Sequence, residues 1–387
     1  MIDLSNTKNA FEYKTDQELK QAYWLFKMVE KNWLVAIGGG LTKLAFNIGL
    51  PIKGMVKKTI FKQFCGGESI NDCQTKIDLL DHYGIGTILD YSVEGKEEEK
   101  DFDSCAAETI RTIELSENNP KIPFTVFKVT GIARFGLLEK LNSKADLTNK
   151  EIAEYQRVTH RLHQICSTAF KKNVRIFIDA EESWIQDAID QMATSMMAQF
   201  NKNEVIVYNT IQLYRKDRLA YLKSAFEQAQ RAGYKLGVKL VRGAYMEKER
   251  DRAEEKGYPS PIQDTKADTD RDYDAALTFC AENIQHIAIC AGSHNEKSAL
   301  LLTQLMEKHQ IDKNNPHIYF SQLLGMSDHI SFNISKAGYN VSKYVPYGPV
   351  KEVMPYLIRR AQENTSISGQ TGRELSLIME EIKRRKA

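Results

Sequence analysis

The sequence predicts an α/β protein, a (β/α)8 barrel of the TIM type preceded by an N-terminal helical segment. Three observations lead there. From about residue 81 onward, short apolar β-branched runs alternate with longer amphipathic stretches, the pattern of a parallel sheet covered by helices. Eight such runs are present, and eight β/α units in about 280 residues match the usual barrel size. An open doubly wound sheet would announce a nucleotide with a glycine-rich first turn. The best candidate here, Gly84-Ile85-Gly86, lies inside the first run and lacks the third glycine.

The runs are GIGTILDY (84–91), FTVFKVTG (124–131), VRIFIDA (174–180) and EVIVYNTIQLY (204–214), followed by KLGVKLVRGAY (235–245), HIAICAG (286–292), HIYFSQLLG (317–325) and VSKYVPYG (341–348). Residues 151–172 and 217–233 have helical length and pattern. Residues 1–80 read as the helical segment and 81–387 as the barrel domain. A charged stretch with two prolines, at about 246–270, reads as a helix and loop extending over the barrel top.

Composition narrows the function. Lys plus Arg number 53 against 51 Asp plus Glu, a net charge of +2, which excludes a dedicated nucleic-acid binder. Six cysteines without a CxxC pair form neither a disulfide framework nor a structural zinc site, which points to a reducing compartment. The start, MIDLSNTKNAFEYKTD, is no secretory signal. The apolar stretch Trp33–Leu50 carries Lys43 and the run Gly38-Gly39-Gly40, so it reads as two short buried or interfacial helices, not a span. The basic tail Lys383-Arg384-Arg385-Lys386 reads as a solvated helix end. The expectation is a cytoplasmic protein, associated at most peripherally with the inner face of a membrane.

In such a barrel, polar groups at the C-terminal strand ends are the default site. Lys128, Asp179, Gln212, Lys239, Arg242, His294, Gln322 and Tyr344 fall there. Each has a bland role: Lys128 could snorkel at the rim, Asp179 could cap a helix beginning at Glu181, and Gln212 could satisfy loop backbone. Barrel ends built only for stability need no such convergence. The segment Gly348–Asn364 reads as a helix started by Pro349, with Pro355 kinking or restarting it. Tyr356, Arg359, Arg360 and Glu363 share one face of it, while Val353, Leu357 and Ala361 can pack. An Arg359–Glu363 surface pair would contribute only a few tenths of a kcal/mol. Two adjacent guanidiniums beside a tyrosine instead suit a small carboxylate, with Lys128 as a third cation.

There is no Ser-His-Asp order, HExxH or P-loop. His160 and His163, with Glu154 upstream, lack a third metal ligand and read as a helix face. Cations and aromatics without a nucleophile suggest that a bound cofactor carries the reaction.

KLVRGAY (239–245) with the following MEKERDRAEEKGYPSPI, and YVPYGPVKEVMPYLIRRAQEN (344–364), are similar to the two hallmark segments of the proline dehydrogenase family. FIDAEES (177–183), YNTIQLYRKDRL (208–219), GSHNEKS (292–298) and FSQLLGMSD (320–328) follow in the same order. The resemblance implies oxidation of L-proline to Δ1-pyrroline-5-carboxylate by hydride transfer to flavin N5 of FAD, with a membrane quinone as acceptor. It implies that Arg359, Arg360 and Lys128 grip the proline carboxylate, that Tyr245, Tyr344 and Tyr356 wall the ring, and that Leu240 lies beside them. Asp179 and Lys239 would be the catalytic pair. Ala180, Gln212, Lys239, Arg242, Gly243, Ala244, Lys266, Ser293, His294, Gln322 and Glu363 would contact FAD. Bifunctional relatives carry Arg at Lys239; the lysine keeps the charge without the planar fork. The hydroxyproline-oxidising branch has a smaller residue at Tyr344, so Tyr favours proline itself. The alternatives are a hydroxyproline or other cyclic imino-acid dehydrogenase and a non-catalytic barrel scaffold.

Overall fold

The computed structural model describes residues 2–29, 54, 57–92, 97–359 and 370–386. Eight parallel strands follow chain order around a closed barrel. They are β1 (Ile85–Tyr91), β2 (Phe124–Lys128), β3 (Arg175–Asp179), β4 (Val207–Gln212), β5 (Leu236–Val241), β6 (Ile287–Gly292), β7 (Ile318–Leu323) and β8 (Val341–Tyr347). Every expected run forms a strand, trimmed where polar groups find partners outside the sheet. The second run stops at Lys128, and Val129–Gly131 close a 3-10 turn because Thr130 donates to Glu181 rather than to a neighbouring strand. The chain divides into two compact units, Gly95–Ser321, and Met1–Glu94 with Gln322–Ala387.

In the unit Gly95–Ser321, side chains alternate along each strand, so 124, 126, 128 and 175, 177, 179 share a face. That face begins with aromatics. Phe124 stacks on Phe177 at 4.5 Å and meets Tyr208 and Tyr319 edge-on at 5.6 and 4.8 Å. It ends at the opposite, C-terminal end with Lys128 and Asp179, paired in register. The sequence therefore sends aromatic bulk to the barrel floor, where the Arg175 guanidinium lies 5.4 Å from the Phe124 ring centroid, and the Lys128 and Asp179 charges to its mouth. The helix Asn149–Lys171 opens with a capping box between Thr148 and Glu151, worth about 1 kcal/mol. The helix Arg218–Ala232 ends on Gly233 in the left-handed region, the position glycine fills without strain. The charged stretch after β5 forms the helix Met246–Lys256, a connecting loop, and the start of the helix Lys266–Glu282.

The other unit builds its own core. Phe11, Leu19, Phe26, Phe61 and Phe64 from the N-terminal helices pack with Val353, Leu357, Leu377 and Ile378. The expected helix from Pro349 begins later. Pro349 leads a turn, its carbonyl accepting from the N–H groups of Glu352 (2.8 Å) and Val353 (3.1 Å), and regular helix covers 354–359. Pro355 thus falls in a first turn, where a missing N–H costs nothing. Trp33–Leu50, Arg360, Ala361 and Glu363 lie outside the described residues. Among the described residues, no helix is long and apolar enough to cross a membrane.

Candidate active site

Asp179 does not cap a helix: the next helix starts at Ser183. Its carboxylate instead accepts from the Lys239 ammonium. The side chains are 15% and 6% exposed, and the ammonium sits 5.4 Å from the Phe177 ring centroid. Lys239 stands in register with Thr210 of β4 and Cys290 of β6. Burial pushes the Cys290 thiol up to about 12, so it is no nucleophile at neutral pH. Leu240 is fully buried and alternates to the other face of β5.

Beside Asp179 lies a carboxyl that reading the sequence did not single out. Glu181 is 4% exposed and accepts from the Thr130 N–H (3.0 Å) and Oγ1 (2.5 Å). Its backbone carbonyl accepts from Gln212 Nε2 at 2.7 Å, and its N–H donates to Gln186 at 2.7 Å. Burial pushes its pKa up to about 7 against the pull of Lys128 and Thr130. Its one sequence signal was two consecutive glutamates at a strand end. Ala180, next to Asp179, is nearly buried.

Several residues expected at the cofactor do meet. Arg242 donates from Nε to Asp270 (2.6 Å) and from its two terminal nitrogens to Ser293 (2.7 Å) and Ser298 (2.9 Å). Its guanidinium lies over Tyr273 at 4.3 Å. Lys266 donates to the other Asp270 oxygen at 2.6 Å. Burial opposes the Asp270 charge, but the hydrogen bonds from Lys266 and Arg242 outweigh it and hold the carboxyl below its usual range. His294 is half-buried directly after Ser293.

Gly243 has φ +137, and a Cβ there would come within 2.4 Å of the Tyr214 ring. Only glycine fits, and Gly243 and Ala244 are exposed residues. Tyr245 precedes the helix Met246–Lys256. Buried Glu249 fixes that helix by accepting from the Ser183 N–H and Oγ, both at 2.6 Å, and Lys248 pairs with Glu182.

In the other unit, Gln322 of β7 is buried and accepts from Ser331 Oγ at 2.8 Å. Tyr344 of β8 is 7% exposed. Its neighbour Lys343, fully buried, donates to the Met326 carbonyl (2.7 Å), the Leu323 carbonyl (3.3 Å) and Asp328 Oδ1 (2.7 Å). Tyr13 donates to the other Asp328 oxygen at 2.6 Å. This network pins the loop after β7, and alternation turns Tyr344 to the opposite face from Lys343. Tyr356 is buried in the core that Val353 and Leu357 share, and half-buried Arg359 follows it by three residues. The His160–His163 face is bland: Arg134 holds Glu154 at 3.0 and 2.9 Å, and the His163 ring packs on Phe200 at 5.6 Å.

Residues 73–373 match the family model described as Proline dehydrogenase. The chain is 34% identical to mitochondrial proline dehydrogenase 1 of Dictyostelium discoideum, across 99% of this chain and 75% of that protein. It is 32% identical to hydroxyproline dehydrogenase of Xenopus laevis, across 85% of this chain and 78% of that protein. In structure it is similar to proline utilization A of Bdellovibrio bacteriovorus, with TM-score 0.76 and 22% identity over 95% of this chain. The chain spans 42% of that protein's length, and the likeness shows a shared barrel fold.

Proposed function

Since the chain belongs to the proline dehydrogenase family, we propose that it oxidises L-proline to Δ1-pyrroline-5-carboxylate as an FAD enzyme, with electrons passing on to a quinone. This would be the first step of proline degradation to glutamate. The observation that carries the reading is the Asp179–Lys239 ion pair at the C-terminal end of the barrel's inner face, with Lys128 in register beside Asp179.

The residues suit the cofactor. Arg242 and Lys266 bracket Asp270, Ser293 joins them, and exposed Gly243 and Ala244 follow Arg242 in the chain. Cations, a hydroxyl and an exposed glycine turn are what a dinucleotide's phosphates require. We assign Gln212, His294, Gln322, Ala180 and Glu363 to the same group. When bound, FAD supplies the hydride acceptor at N5.

The protein's own part is binding, orientation and control of one proton. Arg359, Arg360 and Lys128 take the substrate carboxylate, and charge-assisted pairs of this kind each contribute about 1.5–3 kcal/mol. Tyr245, Tyr344 and Tyr356 exclude water from the ring and fix which carbon is presented. Hydride leaves only from the neutral amine, and the surrounding cations disfavour a second positive charge on the ligand, lowering the amine pKa. Asp179, already committed to Lys239, positions rather than deprotonates.

The likeness to a hydroxyproline dehydrogenase favours a second reading, in which the 4-hydroxylated imino acid is preferred. Tyr344 argues for the smaller substrate. Comparing kcat/KM for L-proline and trans-4-hydroxy-L-proline decides: proline preferred by about 10-fold or more, the size of one lost or crowded contact, supports the assignment, and the reverse order replaces it. We assign the reaction to a reducing compartment, all six cysteines being free thiols, as a cytoplasmic body with peripheral membrane contact at the quinone pool.

A further inference from the structure

The unit of Met1–Glu94 and Gln322–Ala387 holds a cavity lined by none of the residues assigned to proline or FAD. Its volume is about 530 Å³, within the range of small-molecule sites. One wall is the helix Asp16–Val29. Leu19 and Phe26 of that helix enter the core, Ala22 and Leu25 meet both core and cavity, and Trp24 and Met28 line the cavity. Trp24 and Met28 remain 59% and 53% exposed, so apolar surface is offered here without being used for folding.

The polar wall is cationic. Lys14, Lys62 and Lys76 all line the space. Lys62 is neutralised by Glu18 at 3.3 Å. Lys14 lies over its neighbour's ring, 4.6 Å from the Tyr13 centroid. Among the described residues, neither Lys14 nor Lys76 forms an ion pair with a carboxylate. Burial pulls the Lys14 ammonium down, and burial followed by the Lys14 charge pulls Lys76 down to about 8. The Asp328 and Glu18 carboxylates offset part of that cost, but each is already held by another lysine, Lys343 and Lys62, so an anion between Lys14 and Lys76 would complete the wall.

We propose that this cavity binds an amphipathic organic anion, its carboxylate or phosphate head between Lys14 and Lys76 and its apolar body along Trp24, Leu25 and Met28. The head-and-tail chemistry is common to a free acyl amphiphile and to an anionic bilayer lipid. The proposal is independent of the assigned reaction.

The test is calorimetric titration of dodecyl phosphate, below its critical micelle concentration, into the full chain. Saturable binding to one site is expected. Lys14→Met and Lys76→Met should each weaken it about 10-fold or more, the loss of one charge-assisted contact, and Lys62→Met/Glu18→Gln, which removes that ion pair without changing the net charge, should leave it within about twofold. Trp24→Ala, at an exposed position that folding tolerates, should weaken it through the apolar wall. Inorganic phosphate and dodecyl maltoside, as head and tail alone, should each bind far more weakly. Sedimentation with phosphatidylglycerol-containing vesicles, abolished in the Lys14→Met/Lys76→Met variant, would identify the bilayer as the source. Binding of dodecyl phosphate without vesicle sedimentation would identify a free amphiphile. Absence of saturable dodecyl phosphate binding, or binding untouched in the double lysine variant, overturns the proposal.

Discussion

Replacing Lys343 by methionine should cost more stability than removing both members of its ion pair. The ammonium is 1% and the Asp328 carboxylate 4% exposed, and the pair is 2.7 Å apart. Methionine matches the stem in length, so packing changes little. What remains is a buried carboxylate holding the Tyr13 hydroxyl, with the Met326 and Leu323 carbonyls losing their donor. Breaking a buried pair from one side costs about 3–5 kcal/mol, and retention of the Tyr13 bond puts the expected loss near the lower figure. The pH dependence carries a signature. Burial pushes the Asp328 carboxyl up, and chiefly the Lys343 charge holds it below its usual range. In the wild type it therefore contributes stability that is lost as pH falls. Without Lys343 burial wins, so the deficit of the variant should be full at pH 8 and shrink toward pH 5 as the carboxyl protonates. Lys343→Met/Asp328→Asn should recover most of the loss at pH 8. Urea unfolding of the three proteins, at equal cofactor content, reads all of this. A loss under about 1 kcal/mol, or a double variant weaker than the single one, would refute the reasoning.

The remaining predictions concern the site. Arg359→Ala should raise the KM for proline by about 10- to 100-fold, the worth of one charge-assisted carboxylate contact, while visible absorbance of the bound flavin stays intact. Loss of flavin with unchanged KM would contradict that role. Glu181→Gln should flatten stability against pH. With its folded pKa raised to about 7 from 4.5, the wild-type carboxyl contributes most below the unfolded value and loses that contribution as pH rises through 7. The variant should thus be the more stable by up to about 3 kcal/mol at pH 8 and similar at pH 5, by thermal melts across that range. Gly243→Ala forces a Cβ to within 2.4 Å of the Tyr214 ring at φ +137. It should cost about 2–4 kcal/mol and weaken flavin retention; a variant that melts like the wild type and stays yellow would show that the turn can move.

The barrel was legible because its strands are continuous β-branched runs whose neighbours are helical in period, a signal local to each segment. The ends were less so. Val129–Gly131 continued an apolar run and became a turn only because Glu181, distant in sequence, takes Thr130. Pro349 looked like a helix start, and Val353 is buried in the core through the turn that precedes the true one. Arg242, Lys266 and Ser293 were named singly, yet Asp270, which joins two of them, was not. Lys343 reads as an exposed lysine until its partner on the preceding helix is known. Pair formation between distant residues leaves no periodic trace, so chemistry-bearing positions were readable while the groups that tune them were not.

The central claim is tested most directly by an anaerobic visible spectrum of the purified protein before and after adding L-proline. The account predicts flavin bands that bleach with proline and respond less to trans-4-hydroxy-L-proline. A protein that stays colourless after incubation with FAD, or a bound flavin that remains oxidised with proline, would contradict it.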